Sequence, residues 1–195
     1  MAGVVLAAGL ARRMGRSKLT LPWGSRTIIE HVVRTLLAAG CAPVVVVTGG
    51  WRAAVEDAVA HLPVRCVFNS AHADGSMTRS LQVGLRALEP QAALRAALVA
   101  LGDQPGIPVV VVRRLLRAWA QEPDAVWHPE HGGRRGHPWV LPRRAWPALL
   151  AWPPDAPVRD FLRGLDLPQR RLPVATPAIH RDVDTPADYA AQRPT

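Results

Sequence analysis

Lysine is almost missing from this sequence: one residue, Lys18, stands against 23 arginines. Tyrosine and phenylalanine are scarce too, with one and two copies. Nucleic-acid modules interleave clustered basic residues with stacking aromatics, so this pattern speaks against a nucleic-acid partner. Cysteine is limited to Cys41 and Cys66, too few for a disulfide framework or a zinc site. Both sit beside apolar runs and read as small buried hydrophobes of a reducing, cytoplasmic protein. No stretch approaches the ~18 uninterrupted apolar residues of a membrane span; the longest runs are 42–48 and 107–112. The opening MAGVVLAAGLARRMG has its apolar run ahead of its basic cluster, the reverse of a secretory leader, and reads as a first core strand. Repeats and linkers are also lacking, and a single domain over residues 1–195 is expected.

What is present is a globular composition: 49% hydrophobic and 20% charged residues, with 19 prolines and 15 glycines scattered as turn punctuation. The net charge of +9 favours anionic partners, phosphate among them, although a solvated arginine surface absorbs most of it. The lone lysine stands out against that background. Its ammonium is a compact, rotatable point charge suited to a polyphosphate, whereas the guanidinium is a planar fork.

Strand and helix alternate along the chain. Apolar or β-branched runs at 3–8, 43–48, 64–68 and 96–101 predict strands, and helical spacing predicts helices at 27–39, 51–61 and 76–88, with Ser25 as a possible cap of the first. Near-continuous apolar strands between helices imply a parallel sheet covered on both faces with right-handed crossovers. After Glu122 the rhythm changes. Runs at 125–128 and 136–141, separated by the turn-rich stretch 129–135, predict an antiparallel hairpin. Two short helices at 143–150 and 158–165, a strand near 169–174, and a closing helix at 185–191 with Pro186 in its first turn complete the pattern. The fold class is α/β: a three-layer α/β/α sandwich around a Rossmann-like, mostly parallel mixed sheet. Ligands of such open sheets bind beyond the carboxyl ends of the strands, at the loops after Ala8, Thr48, Phe68 and Leu101.

The first of those loops runs Leu6-Ala7-Ala8-Gly9 and on through Arg13 to Lys18. Small residues at a strand end let a ligand approach the backbone, and amides of a Gly-rich turn can face phosphate oxygens, with Arg13 and Lys18 neutralising their charge. The spacing fits neither the P-loop nor the G-x-G-x-x-G dinucleotide turn. Asp103 follows a predicted strand, where a carboxylate can face the ligand crevice or simply serve as a turn residue before Pro105. Asp184 lies at a predicted strand-to-helix junction and reads as a crevice carboxylate or as a cap ahead of Thr185. Asp182 shares its face in an extended segment. His137 sits in the turn Gly133-Arg134-Arg135-Gly136-His137-Pro138, where it can meet an anion beside two arginines or act as an unliganded turn residue. Of the seven tryptophans, Trp139 and Trp146 are candidates for a wall against a planar ligand. No nucleophile elbow is present, so covalent catalysis is not expected.

These segments carry a resemblance. LAAGLARRMGRSK followed by LTLPWGSRTIIEHVV, then GSMTRSLQVGL at 75–85, ALGDQP at 100–105, GRRGHP at 133–138 and DVDTPADY at 182–189 resemble, in order, the blocks of the nucleotidyltransferases related to molybdenum cofactor cytidylyltransferase and guanylyltransferase. The resemblance implies the nucleotide-diphospho-sugar transferase type of fold and a Mg²⁺-dependent nucleotidyl transfer. It implies that Leu6, Ala7, Ala8 and Gly9 hold the nucleotide with Gly75 and Ser80. It further implies that Lys18 and Arg13 meet the phosphates, that Asp103 and Asp184 hold Mg²⁺, and that Arg135 and His137 serve the acceptor. An A-A-G turn together with a G-R-x-G-H-P block resembles the cytidylyltransferase branch, so CTP is the expected donor and a molybdopterin-type cofactor the expected acceptor, with a molybdoenzyme as possible recipient. The alternatives are a guanylyltransferase or sugar-phosphate nucleotidylyltransferase of the same fold and, from another class, a non-catalytic module that delivers nucleotide or cofactor to a molybdoenzyme.

Overall fold

The computed structural model describes residues 1–10 and 17–194. The elements are β1 (Ala2–Ala7), β2 (Pro22–Trp23), β3 (Arg26–Thr27), α1 (Ile28–Ala39), β4 (Val44–Thr48), α2 (Arg52–Val59), β5 (Val64–Phe68), α3 (Met77–Leu88) and β6 (Ala96–Leu101) in the first half. They continue with α4 (Val109–Gln121), β7 (Val126–His131), β8 (Arg134–Arg135), β9 (Trp139–Pro142), α5 (Trp146–Ala151), α6 (Val158–Gly164), β10 (Gln169–Pro173) and α7 (Pro186–Gln192).

The main sheet has the order β10-β7-β9-β6-β1-β4-β5, with β8 folding back on β7. Strands β6, β1, β4 and β5 are mutually parallel, β9 runs antiparallel to both β6 and β7, and β10 is parallel to β7. Apolar residues on both faces explain the central strands: Val44 to Val47 are each at most 1% exposed, so each valine buries side-chain surface worth roughly 1.5–3 kcal/mol. One face packs against α1, α2 and α4 through residues such as Ile29, Val55 and Leu115, and the other against α3, α5 and α6 through Leu81, Leu149 and Phe161. The result is the expected three-layer α/β fold.

Helix α3 lies close on the sheet because Gly84 has no side chain. A Cβ there would stand 2.6 Å from Cγ1 of Val4 and 3.0 Å from Cγ2 of Val47. From β1 the chain moves outward to β4 and β5, then returns to place β6 on the other side of β1. The carboxyl ends of β1 and β6 therefore flank a topological switch point, where open α/β sheets bind ligands.

Several details differ from the sequence expectations. Residues Pro22–Trp23 and Arg26–Thr27 form a small hairpin turned at Gly24, whose φ of 62° suits glycine. Ser25 lies in that turn, and Thr27 caps α1 instead, its hydroxyl accepting from the Glu30 amide at 3.3 Å. Helix α4 has no counterpart in the sequence reading, because its Val109-Val110-Val111-Val112 start resembles a strand; Val111, Val112 and Leu115 nonetheless bury one helical face. The predicted hairpin is present in altered form. Glycines 132 and 133, with φ of 59° and 76°, return the chain through β8, and β9 then inserts between β6 and β7. Cys41 is buried and Cys66 half-buried, both as free thiols. Among the described residues no helix is long and apolar enough to cross a membrane.

Candidate functional site

A cleft of about 610 Å³ opens at the switch point. Its floor is the end of β1, where Leu6, Ala7, Ala8 and Gly9 line the opening. The close approach of neighbouring loops shapes this turn. A Cβ on Gly49 would lie 2.7 Å from the Ala8 Cα and 2.8 Å from the His72 Cβ, so the loop after β4 can press against the turn only as glycine. Gly102 does the same after β6, where a Cβ would come within 3.1 Å of the Leu6 carbonyl oxygen. Its amide donates to that carbonyl at 2.9 Å. The Trp51 indole NH donates to the Leu10 carbonyl at 3.0 Å and ties the rim of the turn to the start of α2.

Lys18 begins a short 3-10 turn and reaches across the cleft. Its Nζ donates to Asp103 Oδ2 at 2.5 Å and to Asp184 Oδ1 at 2.6 Å. The ammonium side chain is 11% exposed, and the two carboxylates 20% and 33%. Burial works against its charge, but Asp103, followed by Asp184, outweighs that penalty and holds the Lys18 pKa above the ordinary lysine value.

Backbone contacts explain how residues 81 positions apart in sequence meet. The Val183 amide donates to the Asp103 carbonyl at 2.9 Å, which joins the segment before α7 to the loop after β6. Gln104 Nε2 adds a bond to Asp182 Oδ1 at 2.6 Å. Thr185, rather than Asp184, is the cap of α7: its hydroxyl accepts from the Asp188 amide, and Asp188 Oδ2 accepts from the Thr185 amide at 2.8 Å. Asp182 lines the cleft as well. Burial raises its carboxyl pKa, and the neighbouring charges of Asp103 and Asp184 push the same way.

On the opposite wall, Gly75 and Ser80 line the cleft with His72 and Met77. Ser76 caps α3, its Oγ accepting from the Arg79 amide at 3.0 Å. Ser80 is 6% exposed and accepts from Asn69 Nδ2 at 3.1 Å, so it braces the wall from behind. Leu6, Ala7, Ala8, Gly9, Lys18, Gly75, Ser80, Asp103 and Asp184, each singled out in the sequence, thus converge on one opening. Arg13 lies outside the described residues. Trp51, His72 and Gln104 carry no local signal of a role here, because they act through the tertiary packing of three loops.

The acceptor candidates sit elsewhere. Neither Arg135 nor His137 lines this cleft. Arg135, on β8, is exposed and donates from Nη1 to Gln169 Oε1 at 2.5 Å. His137 is half-buried, and burial pushes its ring down to about 4, leaving it neutral at physiological pH. The block around it is packed against the turn before Asp182: the His137 amide donates to the Ile179 carbonyl at 3.2 Å, and a Cβ on Gly136 would stand 2.9 Å from the Ile179 Cβ. Trp139 and Trp146 are 4% and 2% exposed. They belong to the core beneath α5, which corrects the expectation that they form a wall for a planar ligand.

The donor set suits a small hard divalent cation. Two carboxylate oxygens already converge on one cation, the Lys18 ammonium. Mg²⁺ and Mn²⁺ take one or two carboxylates and complete their shell with phosphate oxygens and water, so Asp103 and Asp184 fit that role.

Comparison with known proteins agrees with this geometry. Residues 3–172 match the family described as the MobA-like NTP transferase domain. The chain is 34% identical over 192 residues to nicotine blue oxidoreductase of Paenarthrobacter nicotinovorans, covering 94% of this chain and 91% of that protein. It is 25% identical over 187 residues to molybdenum cofactor cytidylyltransferase of Escherichia coli K12, covering 95% and 92%. Among solved structures, Rv0371c from Mycobacterium tuberculosis H37Rv superposes with a TM-score of 0.82 at 27% identity over 97% of this chain and 95% of that one, and it has also been solved in complex with manganese. A match of this extent makes the chain a member of the MobA-like NTP transferase domain family, a nucleotidyltransferase of the molybdenum cofactor cytidylyl/guanylyltransferase-like kind.

Proposed function

We propose that this protein transfers a cytidylyl group from CTP to the terminal phosphate of a molybdopterin-type cofactor, with Mg²⁺ held by Asp103 and Asp184. The observation that carries this reading is the convergence of the Leu6 to Gly9 turn, the single lysine and two carboxylates in one cleft. The A-A-G turn at Ala7-Ala8-Gly9 and the block ending in His137 and Pro138 support CTP as the donor: an Ala8 Cβ beside the base leaves less room for a purine.

In the reaction an acceptor phosphate oxygen attacks the α-phosphorus of CTP, the bond from that phosphorus to the β-phosphate oxygen breaks, and pyrophosphate leaves. The attacking oxygen is already ionised near neutral pH, so the chain contributes position and charge rather than a general base. The Leu6 to Gly9 backbone seats the nucleotide. Lys18, with Arg13 joining on the resemblance alone, offsets charge at the departing pyrophosphate. Bound divalent metal supplies Lewis-acid polarisation of the α-phosphate. Arg135 and His137 serve the acceptor in this reading, His137 as a neutral hydrogen-bonding group.

A screen of the four nucleoside triphosphates against molybdopterin cofactor, scored by pyrophosphate release, tests the reading. Release with CTP that depends on acceptor and on Mg²⁺ is expected. Release with GTP alone would make the protein a guanylyltransferase. A second reading follows from the 34% identity to an oxidoreductase. The sequence has no G-x-G-x-x-G turn for a dinucleotide. Oxidoreductase activity on nicotine blue, without pyrophosphate release from any triphosphate, would favour that reading.

A further inference from the structure

The cation that joins Asp103 to Asp184 is the chain's own. Two carboxylates facing one another across a partly buried cleft repel unless a positive charge stands between them, and Lys18 meets both at 2.5 and 2.6 Å. The same two oxygens are those that would bind the divalent ion, so ammonium and metal compete for one seat. The choice of residue is informative. This sequence uses arginine for 23 of its 24 basic positions and lysine only here. An arginine would grip a carboxylate with a two-pronged fork, whereas an ammonium on a flexible stem is a point charge that can be handed from one set of oxygens to another.

We propose that Lys18 is a placeholder for the divalent cation: its ammonium holds Asp103 and Asp184 together in the nucleotide-free protein, and the arriving triphosphate draws it out and clears the seat. Metal and nucleotide then enter as a coupled pair, each raising the affinity for the other by the same factor. The inference rests on the reading of Asp103 and Asp184 as the metal carboxylates and adds an order to it. Lys18 then keeps the two carboxylates together ahead of the metal, and a divalent ion without nucleotide finds its position taken.

Binding of Mn²⁺ to nucleotide-free protein, followed by loss of the free-ion electron paramagnetic resonance signal, tests the proposal. Lys18→Met is expected to bind Mn²⁺ at least about tenfold more tightly than wild type, a factor in the usual range of coupling between sites, and Asp103→Asn added to Lys18→Met is expected to abolish the gain. Equal affinity of wild type and Lys18→Met would overturn the placeholder role. The metal reading itself would survive that result if wild type still released pyrophosphate from CTP in a Mg²⁺-dependent manner.

A second measurement needs no variant. Because the chain has one lysine, protein labelled with ¹³C-lysine gives a single side-chain Cε signal. That signal is expected to hold its position with millimolar Mg²⁺ and to move when CTP is added as well. A shift of the same size with Mg²⁺ alone, or none with both, would overturn the coupling.

Discussion

His128 offers a quantitative test of how the sheet beyond β9 is built. It lies on β7, 5% exposed, with its ring stacked on Trp139 at 5.8 Å and its Nε2 without a hydrogen-bond partner among the described residues. Burial, reinforced by the positive charges of Arg135 and Arg171, depresses its pKa from 6.5 to about 3. A depressed histidine binds fewer protons folded than unfolded, so its contribution is present above the unfolded value and is lost as pH falls through 6.5 toward 3. At 1.36 kcal/mol per pH unit, moving from pH 7 to pH 5 removes about 2 kcal/mol on this account alone.

The perturbation is His128→Phe, which keeps a ring against Trp139 and deletes the titrating group. Urea unfolding at pH 7, 6 and 5 would be followed for both proteins. Carboxylates, and the similarly depressed His137, titrate in both, so they cancel in the comparison. Wild type is expected to lose about 2 kcal/mol more than the variant over this range. At pH 7 the variant should be as stable or slightly more so, since the unpaired ring nitrogen at position 128 is gone. Parallel loss of stability in the two proteins would refute the account of His128 as a neutral, unsolvated ring.

Three further outcomes follow from the cleft and the core. Lys18→Ala should lower turnover with CTP by about 10² or more while far-ultraviolet circular dichroism stays native, because charge compensation at the departing pyrophosphate is lost. On the proposed function, Asp103→Asn should lower turnover by a similar factor and raise the Mg²⁺ concentration needed for half-maximal rate, since it would remove a charged metal donor; the Mg²⁺ dependence of pyrophosphate release reads both. Gly84→Ala should destabilise the fold by about 1 kcal/mol in urea unfolding. Overpacking against the β-branched Val4 and Val47 costs roughly 1–3 kcal/mol, which exceeds the ~1 kcal/mol gained in helix propensity.

The parts of this molecule that the sequence revealed are those governed by local rules. Strands β1, β4 and β6 announce themselves because both faces are buried and, apart from Thr48 at the end of β4, their residues are apolar. Helix α4 stayed hidden for the same reason in reverse: four consecutive valines look like a strand, and only the packing of Val111, Val112 and Leu115 under the sheet decides for helix. Tryptophans 139 and 146 were ambiguous because a large aromatic serves a core and a binding wall equally well, and exposure, which distinguishes the two, is a tertiary property.

The candidate site shows where that boundary falls. Lys18, Asp103 and Asp184 were visible as residue types at strand ends and in an ordered series of motifs, yet nothing in their spacing said that they touch. Contact depends on the Val183 amide reaching the Asp103 carbonyl and on the Gln104 amide reaching Asp182, two bonds that pull the end of the chain across the switch point between β1 and β6. Because Ile179 also seats Gly136 and His137, the same C-terminal segment touches both the GRRGHP block and the carboxylate pair. A change at the GRRGHP block can therefore act on Asp184 through residues 179–183 without contacting a substrate. A His137→Ala variant that raises the Mg²⁺ requirement as well as the acceptor KM would carry that signature, whereas a change in acceptor KM alone would confine His137 to the acceptor side.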